Sequence, residues 1–439
     1  MMNQILTTGQ EVKVETTSVK VEKLLGGGTQ GEVYSVHLDG KPMALKWFKQ
    51  SMATAQQREN LETLVKMGPP TTKFLWPQYM ASSPTVPGFG YLMDLRSSNF
   101  SSLEDFMAGR VNSNFRALAC ACRELADNFR ILHSRGLCYR DISFGNVFFE
   151  AKNGEILICD NDNVGVQGHS VAQVQGTPRF MAPEIVKQIE SPSTQTDLFS
   201  LAVLLFYILF RHHPLEGKKE TEIHCFDLLA MRKLYGDEPL FIFDPKDQSN
   251  APVPGEQENP LIYWKIYPNF LKELFIRAFT EGITDPLHGR IRETEWVAAM
   301  IKLADSLVPC IYCRAGNFYD MDALKLNGGK PGVCWKCKKE MHYPFRLRLG
   351  RNIIMLNADT KLYPHHLDSH RGFDQSQPVA EVSQNPQNPG IFGLKNLSAQ
   401  NWILINTSGE TRNVEPGRTT ILINGYKINF GNIEGEIRY

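Results

Sequence analysis

The stretch that most constrains this chain is Y-R-D-I-S-F-G-N at residues 139–146. It sets Asp141 five residues ahead of Asn146, follows an Arg, and runs straight into the β-rich residues Val147, Phe148 and Phe149. The spacing is a weak signal by itself. Its value depends on whether further chemistry-bearing stretches lie around it in a fixed order.

Bulk properties narrow the classes. At 439 residues the chain is too long for one ordinary core, and two or three domains are expected. Lys plus Arg and Asp plus Glu both total 47, so no strong field points to nucleic acid or to a membrane surface. The N-terminus lacks a basic start followed by an apolar run and a small-residue cleavage site, which argues against secretion. The longest apolar run, residues 198–210, is shorter than the roughly 20 helical residues a bilayer requires, so a buried helix is expected there. The nine cysteines are an odd number for a disulfide framework, and four of them form two C-x-x-C pairs. That usage suits a reducing, cytoplasmic compartment and a metal site.

Upstream of the loop, residues 12–34 alternate apolar and polar side chains and pass through L-G-G-G-T-Q-G-E-V. Gly26, Gly28 and Gly31, between two strand-like stretches, let a hairpin backbone approach phosphate oxygens that a Cβ would block. Next, M-A-L-K-W-F at residues 43–48 is a strand with one Lys among apolar neighbours. A buried ammonium requires an anionic partner. Phosphates together with a carboxylate from the following helix, residues 54–67, would provide it, and Gly68-Pro69-Pro70 stops that helix. Glu59 and Glu62 both qualify as the carboxylate, and spacing to the Pro-Pro stop favours Glu59.

Downstream, E-I-L-I-C-D-N-D is a strand ending in Asp160, with Asp162 as the fallback carboxylate. G-T-P-R-F-M-A-P-E closes the segment, and Arg290 is expected to pair with Glu184. Such an Arg–carboxylate pair is bidentate and directional, and fixes a loop without taking part in chemistry.

In this order, G-x-G-x-x-G-x-V, A-x-K, R-D-x-x-x-x-N, D-N-D and G-T-x-x-F-M-A-P-E resemble the eukaryotic-like (Hanks-type) Ser/Thr protein kinases of bacterial type. The resemblance implies an α+β, bilobal kinase fold over residues 12–308, with an N-lobe at about 12–93 and a C-lobe at about 97–308. It also implies site roles, with ATP and Mg2+ (or Mn2+) as cofactors. Asp141 is the base, and Asn146 and Asp160 hold magnesium. Lys46, Gly26, Gly28 and Gly31 hold the phosphates, with Glu59 anchoring Lys46. Val33, Ala44 and Phe148 line the nucleotide pocket, the backbone from Asp94 to Arg96 meets the adenine edge, and Met93 guards the space behind it. Thr177 lines the pocket for an acceptor Ser or Thr of a protein substrate.

Several positions depart from that pattern. Tyr139 replaces the family's His, Asn161-Asp162 replaces Phe-Gly, and Ser143 stands where a Lys usually touches the transferred phosphate. Losing that cation reduces transition-state charge stabilisation by a few kcal/mol unless another group compensates. The segment from Asp160 to Glu184 is short, with Ser170 as its clearest phosphorylatable residue apart from Thr177. A nucleotide-binding pseudokinase scaffold is the alternative these departures support.

Cys310, Cys313, Cys334 and Cys337 form two knuckles separated by 20 residues, a strong tetrahedral Zn2+ pattern, and predict a structural zinc ribbon over residues 309–343. Lys336, Lys338 and Lys339 beside it are expected on a solvated surface, and nucleic acid is disfavoured as a partner.

Residues 344–439 read as a small β-sandwich, with short alternating strands at 346–349, 352–356, 402–406, 419–423 and 426–430 and a polar, Pro-rich loop at 377–390. Gly350-Arg351, G-L-K-N-L-S at 393–398 and G-Y-K-I at 425–428 resemble the forkhead-associated fold, although its Ser-Arg-x-x-His core is not visible at Ser383. A kinase, a ribbon and such a sandwich in series resemble kinases of tellurite-resistance-like kinase/phosphatase clusters. That resemblance implies a cognate protein phosphatase and a von Willebrand-type protein as partners; the balanced charge and the short apolar run lead to the expectation of no membrane partner.

Overall fold

The computed structural model describes residues 4–166, 176–388 and 390–439; Ser170 lies outside the described residues. The chain divides into two compact units. One is Met1–Ser113, Cys120–Leu261 and Leu274–Trp296, and the other is Asn114–Ala119, Ile262–Glu273 and Val297–Tyr439.

The first unit begins with β1 (Glu11–Val14), β2 (Thr17–Lys20), β3 (Lys23–Gly27), β4 (Gly31–Leu38) and β5 (Lys41–Phe48). Helix α1 (Ala55–Met67) then precedes β6 (Tyr79–Ser82) and β7 (Gly90–Asp94). The seven strands form one antiparallel sheet in the order β2-β1-β6-β7-β5-β4-β3. Strand β5 lies inside the sheet between β7 and β4, and both of its faces are covered, which is why its sequence from Met43 on is apolar apart from Lys46. Met43, Leu45 and Trp47 pack with Val12, Val14, Tyr34 and Val36 on one side. Ala44 and Phe48 pack with Leu61 of α1, Tyr91 and Met93 on the other. Because side chains alternate along a strand, Lys46 falls on the α1 face. Helix α1 starts where the Thr54 side chain accepts from the Gln57 N–H. It stops at Gly68, whose φ of 68° and following prolines end the helix.

The rest of this unit supplies β8 (Ser101–Ser102), α2 (Leu103–Met107), α3 (Phe115–Ser134, its first residues grouped with the other unit) and β9 (Leu137–Cys138). Then come β10 (Val147–Phe149), β11 (Ile156–Ile158), β12 (Gly165–Val166), α4 (Pro183–Val186) and α5 (Thr194–Phe210). Helix α5 is the apolar run expected from sequence. Ser193 and Thr196 cap it reciprocally, and every residue from Thr196 to Phe210 is buried. No helix among the described residues is long and apolar enough to cross a membrane.

In the second unit, Leu307–Pro309 pairs antiparallel with Gly316–Phe318, next to the four cysteines. Beyond them, six strands form one sheet, with Asn352–Met355, Arg346–Leu349, Glu434–Arg438, Lys427–Asn429, Trp402–Ile405 and Thr411–Val414 side by side. Four more, Lys361–Leu362, Ala380–Gln384, Phe392–Asn396 and Thr419–Ile421, form another. Leu347, Ile354, Trp402, Ile428 and Ile437 of the first sheet share one core with Val382 and Leu394 of the second. The expected loop at 377–390 therefore contains a strand. Only Ala380 and Val382 of that strand are buried, too few to stand out among its polar neighbours. Asn396, in one of the three N-x-S/T sequons of the sequence, is fully buried and donates to the carbonyls of Gln400 and Val414.

Candidate active site

Strand pairing positions the lysine. Lys46 lies opposite Val33 of β4 and Tyr91 of β7. It is 4 % exposed, and its Nζ reaches Asp162 Oδ1 and Oδ2 at 2.8 and 3.0 Å, Gln30 Oε1 at 3.1 Å and Asp160 Oδ1 at 3.3 Å. Burial pushes the ammonium down, but the carboxylates of Asp162 and Asp160 more than reverse this, so Lys46 titrates above the ordinary lysine value and carries its charge. Burial and the neighbouring Asp162 raise Asp160 above the ordinary carboxylate value, with Lys46 opposing them.

The expected Glu59–Lys46 pair is absent. Glu59 is exposed, and Glu62 pairs with Arg58 at 3.0 Å one helical turn away. The polar residues of α1 that reach the site are amides: Gln57 Nε2 donates to the Asp162 carbonyl at 3.2 Å, and Asn60 Nδ2 to the Asp162 and Val164 carbonyls at 3.3 and 3.0 Å.

The loop at 139–146 is held from below by Asp197, near the start of α5. Its carboxylate accepts from the backbone N–H groups of Tyr139 and Arg140 and pairs with His133 Nε2 at 3.1 Å. His133 also contacts Glu293. Burial lowers His133, but these two carboxylates raise it to about 9. Arg140 has a φ of 74°, and an ideal Cβ at Gly176 would lie 2.8 Å from its carbonyl oxygen, so that position excludes larger residues.

On this loop Asn146 Nδ2 donates to the Asp141 carbonyl and carboxylate at 2.7 and 3.1 Å, leaving its own Oδ1 to act as a ligand. Thr177 Oγ1 donates to Asp141 Oδ1 at 2.9 Å. The Cys159 N–H donates to the Asn146 carbonyl at 2.9 Å, which brings the residue before Asp160 against the loop. Asp160 itself is left-handed, with φ 53°, and its side chain is 41 % exposed. An amide oxygen and a partly open carboxylate on adjacent backbone suit a hard cation such as Mg2+. Tyr139, in place of a His, is buried with its hydroxyl donating to the Cys159 carbonyl. Ser143 is buried and brings no cation to Asp141.

Around this cluster, Val33, Ala44 and Met93 share an apolar patch with Leu157 and Cys159. Leu157 was not singled out by sequence, because a strand residue gives no sign of which face it presents. Phe148, opposite Leu157 in the β10–β11 pairing, lies under the Arg96 guanidinium at 4.1 Å. The Asp94 side chain turns to Lys41 at 2.6 Å. The three glycines separate. A Cβ at Gly26 or Gly28 would meet nothing within 4 Å, whereas one at Gly31 would lie 2.2 Å from the Trp47 carbonyl oxygen. Gly31 is thus required by the sheet itself. Glu184 and Arg290 pair, but through one contact and not bidentately: Arg290 Nη2 reaches Glu184 Oε1 at 2.6 Å, while its Nη1 and Nε donate to the Gln195 and Gly282 carbonyls at 2.7 and 3.3 Å.

A Gly-rich hairpin, a lysine-bearing strand and a loop carrying Asp141 and Asn146 thus follow one another in the first unit. The family described as protein kinase domain matches residues 19–252, more than half of the chain, and the chain belongs to that family. It is 30 % identical over 118 residues to a probable serine/threonine-protein kinase CCRP1 of Zea mays, covering 26 % of this chain and 19 % of that protein. It is 33 % identical over 104 residues to a protein kinase C delta type of Mus musculus, covering 23 % of this chain and 15 % of that one. The longer match, 27 % over 340 residues, is to a ribosomal protein S6 kinase alpha-4 of Mus musculus and covers 71 % of this chain and 42 % of that protein. The chain therefore spans less than half the length of each of these relatives.

In the second unit, the sulfurs of Cys310, Cys313, Cys334 and Cys337 all lie within 4.8 Å of one another, a four-cysteine cluster of metal-binding size. Burial raises Cys334, but N–H donors from Cys337, Asn317 and Lys336 outweigh it and bring the thiol down to about 6. The Lys339 N–H lowers Cys337, but burial and the facing Cys313, Cys310 and Cys334 thiols outweigh it and push that thiol up to about 11, so a metal bound there would have to displace its proton.

Proposed function

We propose that this chain is an ATP-dependent Ser/Thr protein kinase acting in signalling. Asp141 accepts the hydroxyl proton of a protein Ser or Thr, while Lys46, Gly26 and Gly28 hold the phosphates. The sheet-bound Gly31 keeps the hairpin in place. Asn146 and Asp160 hold Mg2+, which when bound neutralises charge on the phosphoryl oxygens. Val33, Ala44, Phe148 and the backbone of Asp94 to Arg96 receive the base. The observation that carries this reading is the pairing of Asp141 with Asn146 at 3.1 Å and of Lys46 with Asp160 at 3.3 Å, between residues up to 114 positions apart. Transfer of labelled phosphate from ATP to a generic basic-protein acceptor tests it: wild type incorporates label and Asp141→Asn does not, whereas equal incorporation by both rules it out.

The second reading, a nucleotide-binding pseudokinase scaffold, is favoured by one observation, the absence of a cation at buried Ser143. It predicts a nucleotide-dependent thermal shift with no transfer.

Within the same proposal, Cys310, Cys313, Cys334 and Cys337 hold structural Zn2+ in a ribbon at residues 309–343, and residues 344–439 form a forkhead-associated-like β-sandwich that docks partners. A cognate phosphatase and a von Willebrand-type protein are the partners we assign to it, in the cytoplasm. Support for the sandwich is the shared core of its two sheets.

A further inference from the structure

We propose that Asp162 is the residue that positions Lys46 for phosphate binding, in place of a helix carboxylate, and that α1 holds this anchor only through neutral amides. The inference rests on the kinase reading above and deepens it.

Four observations carry it. Both oxygens of Asp162 face Lys46 Nζ, at 2.8 and 3.0 Å, closer than Asp160 at 3.3 Å. The Asp162 side chain is 0 % exposed and also accepts from Tyr91 Oη at 2.8 Å, so it is fixed from the floor of the sheet. The flanking residues are tied as well. Asn161 Nδ2 donates to the carbonyls of Leu75 and Ile158 at 2.8 and 2.9 Å, and Asn163 Oδ1 accepts from Gln30 Nε2 at 3.0 Å. Finally, Gln57 and Asn60 of α1 grasp the backbone carbonyl of Asp162, while Glu59 and Glu62 face away.

A buried ammonium strongly disfavours losing a fully buried counter-ion. Here that counter-ion sits two residues beyond the proposed metal ligand Asp160, on the same short segment. Lysine and metal geometry are thereby set by one piece of backbone, and among the described residues the polar contacts by which α1 reaches that backbone come from the amides of Gln57 and Asn60. Gln30 adds a consequence. Its side chain lies on the Gly-rich hairpin and bridges Lys46 and Asn163, so nucleotide phosphates entering beneath the hairpin must take over its contact with the lysine.

The test is a double-mutant cycle on the full chain, read as affinity for Mg-ATP by calorimetry and as kcat and KM for ATP in phosphate transfer. Circular dichroism confirms folding of each variant. Asp162→Asn should weaken ATP affinity and lower kcat/KM by roughly 10–100-fold. In a Lys46→Met background the same change should alter ATP affinity by less than about twofold, because its effect passes through the lysine. The pair Glu59→Gln/Glu62→Gln should stay within about twofold of wild type. An equal loss from Asp162→Asn in both backgrounds would mean a merely structural role and would overturn the inference. If Asp162→Asn does not fold, a loss in the Glu59→Gln/Glu62→Gln chain as large as that of Lys46→Met overturns it too. Wild type that transfers phosphate while the cycle is additive removes this inference alone. Wild type that neither binds Mg-ATP nor transfers phosphate removes it along with the kinase reading.

Discussion

The cleft and the cysteine cluster assemble charge by opposite routes. Lys46, Asp141 and Asp162 come from distant parts of the chain and are held by a seven-stranded sheet, a buried helix and a chain of hydrogen bonds. The four cysteines lie within 28 residues of one another, and the core beside them is small: Val308, Tyr319, Met341 and Met355 with the buried Cys310 and Cys334. A site built on packed elements should survive removal of its ligands. One built on two knuckles should not, because a metal bound there would supply much of the folding free energy.

The sharpest way to break this contrast is to remove metal. A chelator, or Cys334→Ser, should cost the region at 309–343 most of the roughly 10–16 kcal/mol that structural zinc supplies in small knuckle domains. Limited proteolysis should then cut within those residues while nucleotide binding by the first unit persists. Unchanged cleavage, with no zinc found by atomic absorption of the purified chain, would erase the distinction.

Within the first unit, Glu184→Gln should leave Arg290 buried without its counter-ion and lower stability by about 3–5 kcal/mol. Chemical denaturation measures this, and a loss below about 1 kcal/mol would show the pair to be dispensable.

A pH series sharpens the picture of the scaffold under the loop. His133 is raised from 6.5 to about 9 by Asp197 and Glu293, so its charged form favours the folded state. That stabilisation is complete below about pH 6.5 and is lost as pH rises through about 9. At about 1.4 kcal/mol per tenfold change in proton affinity, it amounts to a few kcal/mol. His133→Gln should flatten the stability profile over that window, and a profile identical to wild type would remove the ion triad from the account.

The smallest effects separate the glycines. Gly31→Ala drives a Cβ into the Trp47 carbonyl and should destabilise by about 1–3 kcal/mol. Gly28→Ala meets open space and should leave the melting temperature unchanged while weakening ATP affinity. Equal melting temperatures for the two variants would contradict the assignment of Gly31 to the sheet.

Much of this was legible before any coordinates. The loop at 139–146, the strand with Lys46, the apolar run that became α5 and the two cysteine knuckles are local patterns whose spacing survives folding. What stayed hidden were choices among partners. Glu59 and Asp162 are both carboxylates at plausible distances along the chain, and only the rotation of α1 decides that Gln57 and Asn60 face inward and Glu59 outward. Likewise, three glycines in a row of motifs look alike, although Gly31 answers to a neighbouring strand and Gly26 and Gly28 do not. The strand Ala380–Gln384 was missed because its buried face is only two residues wide.

We propose that the site around Asp141 transfers phosphate. Intact-mass spectrometry of wild type and Asp141→Asn, each incubated with Mg-ATP and a Ser/Thr-containing acceptor protein, tests it most directly. Phosphate should be added to protein by wild type alone. Phosphate added equally by both, or by neither while Mg-ATP binds, would contradict it.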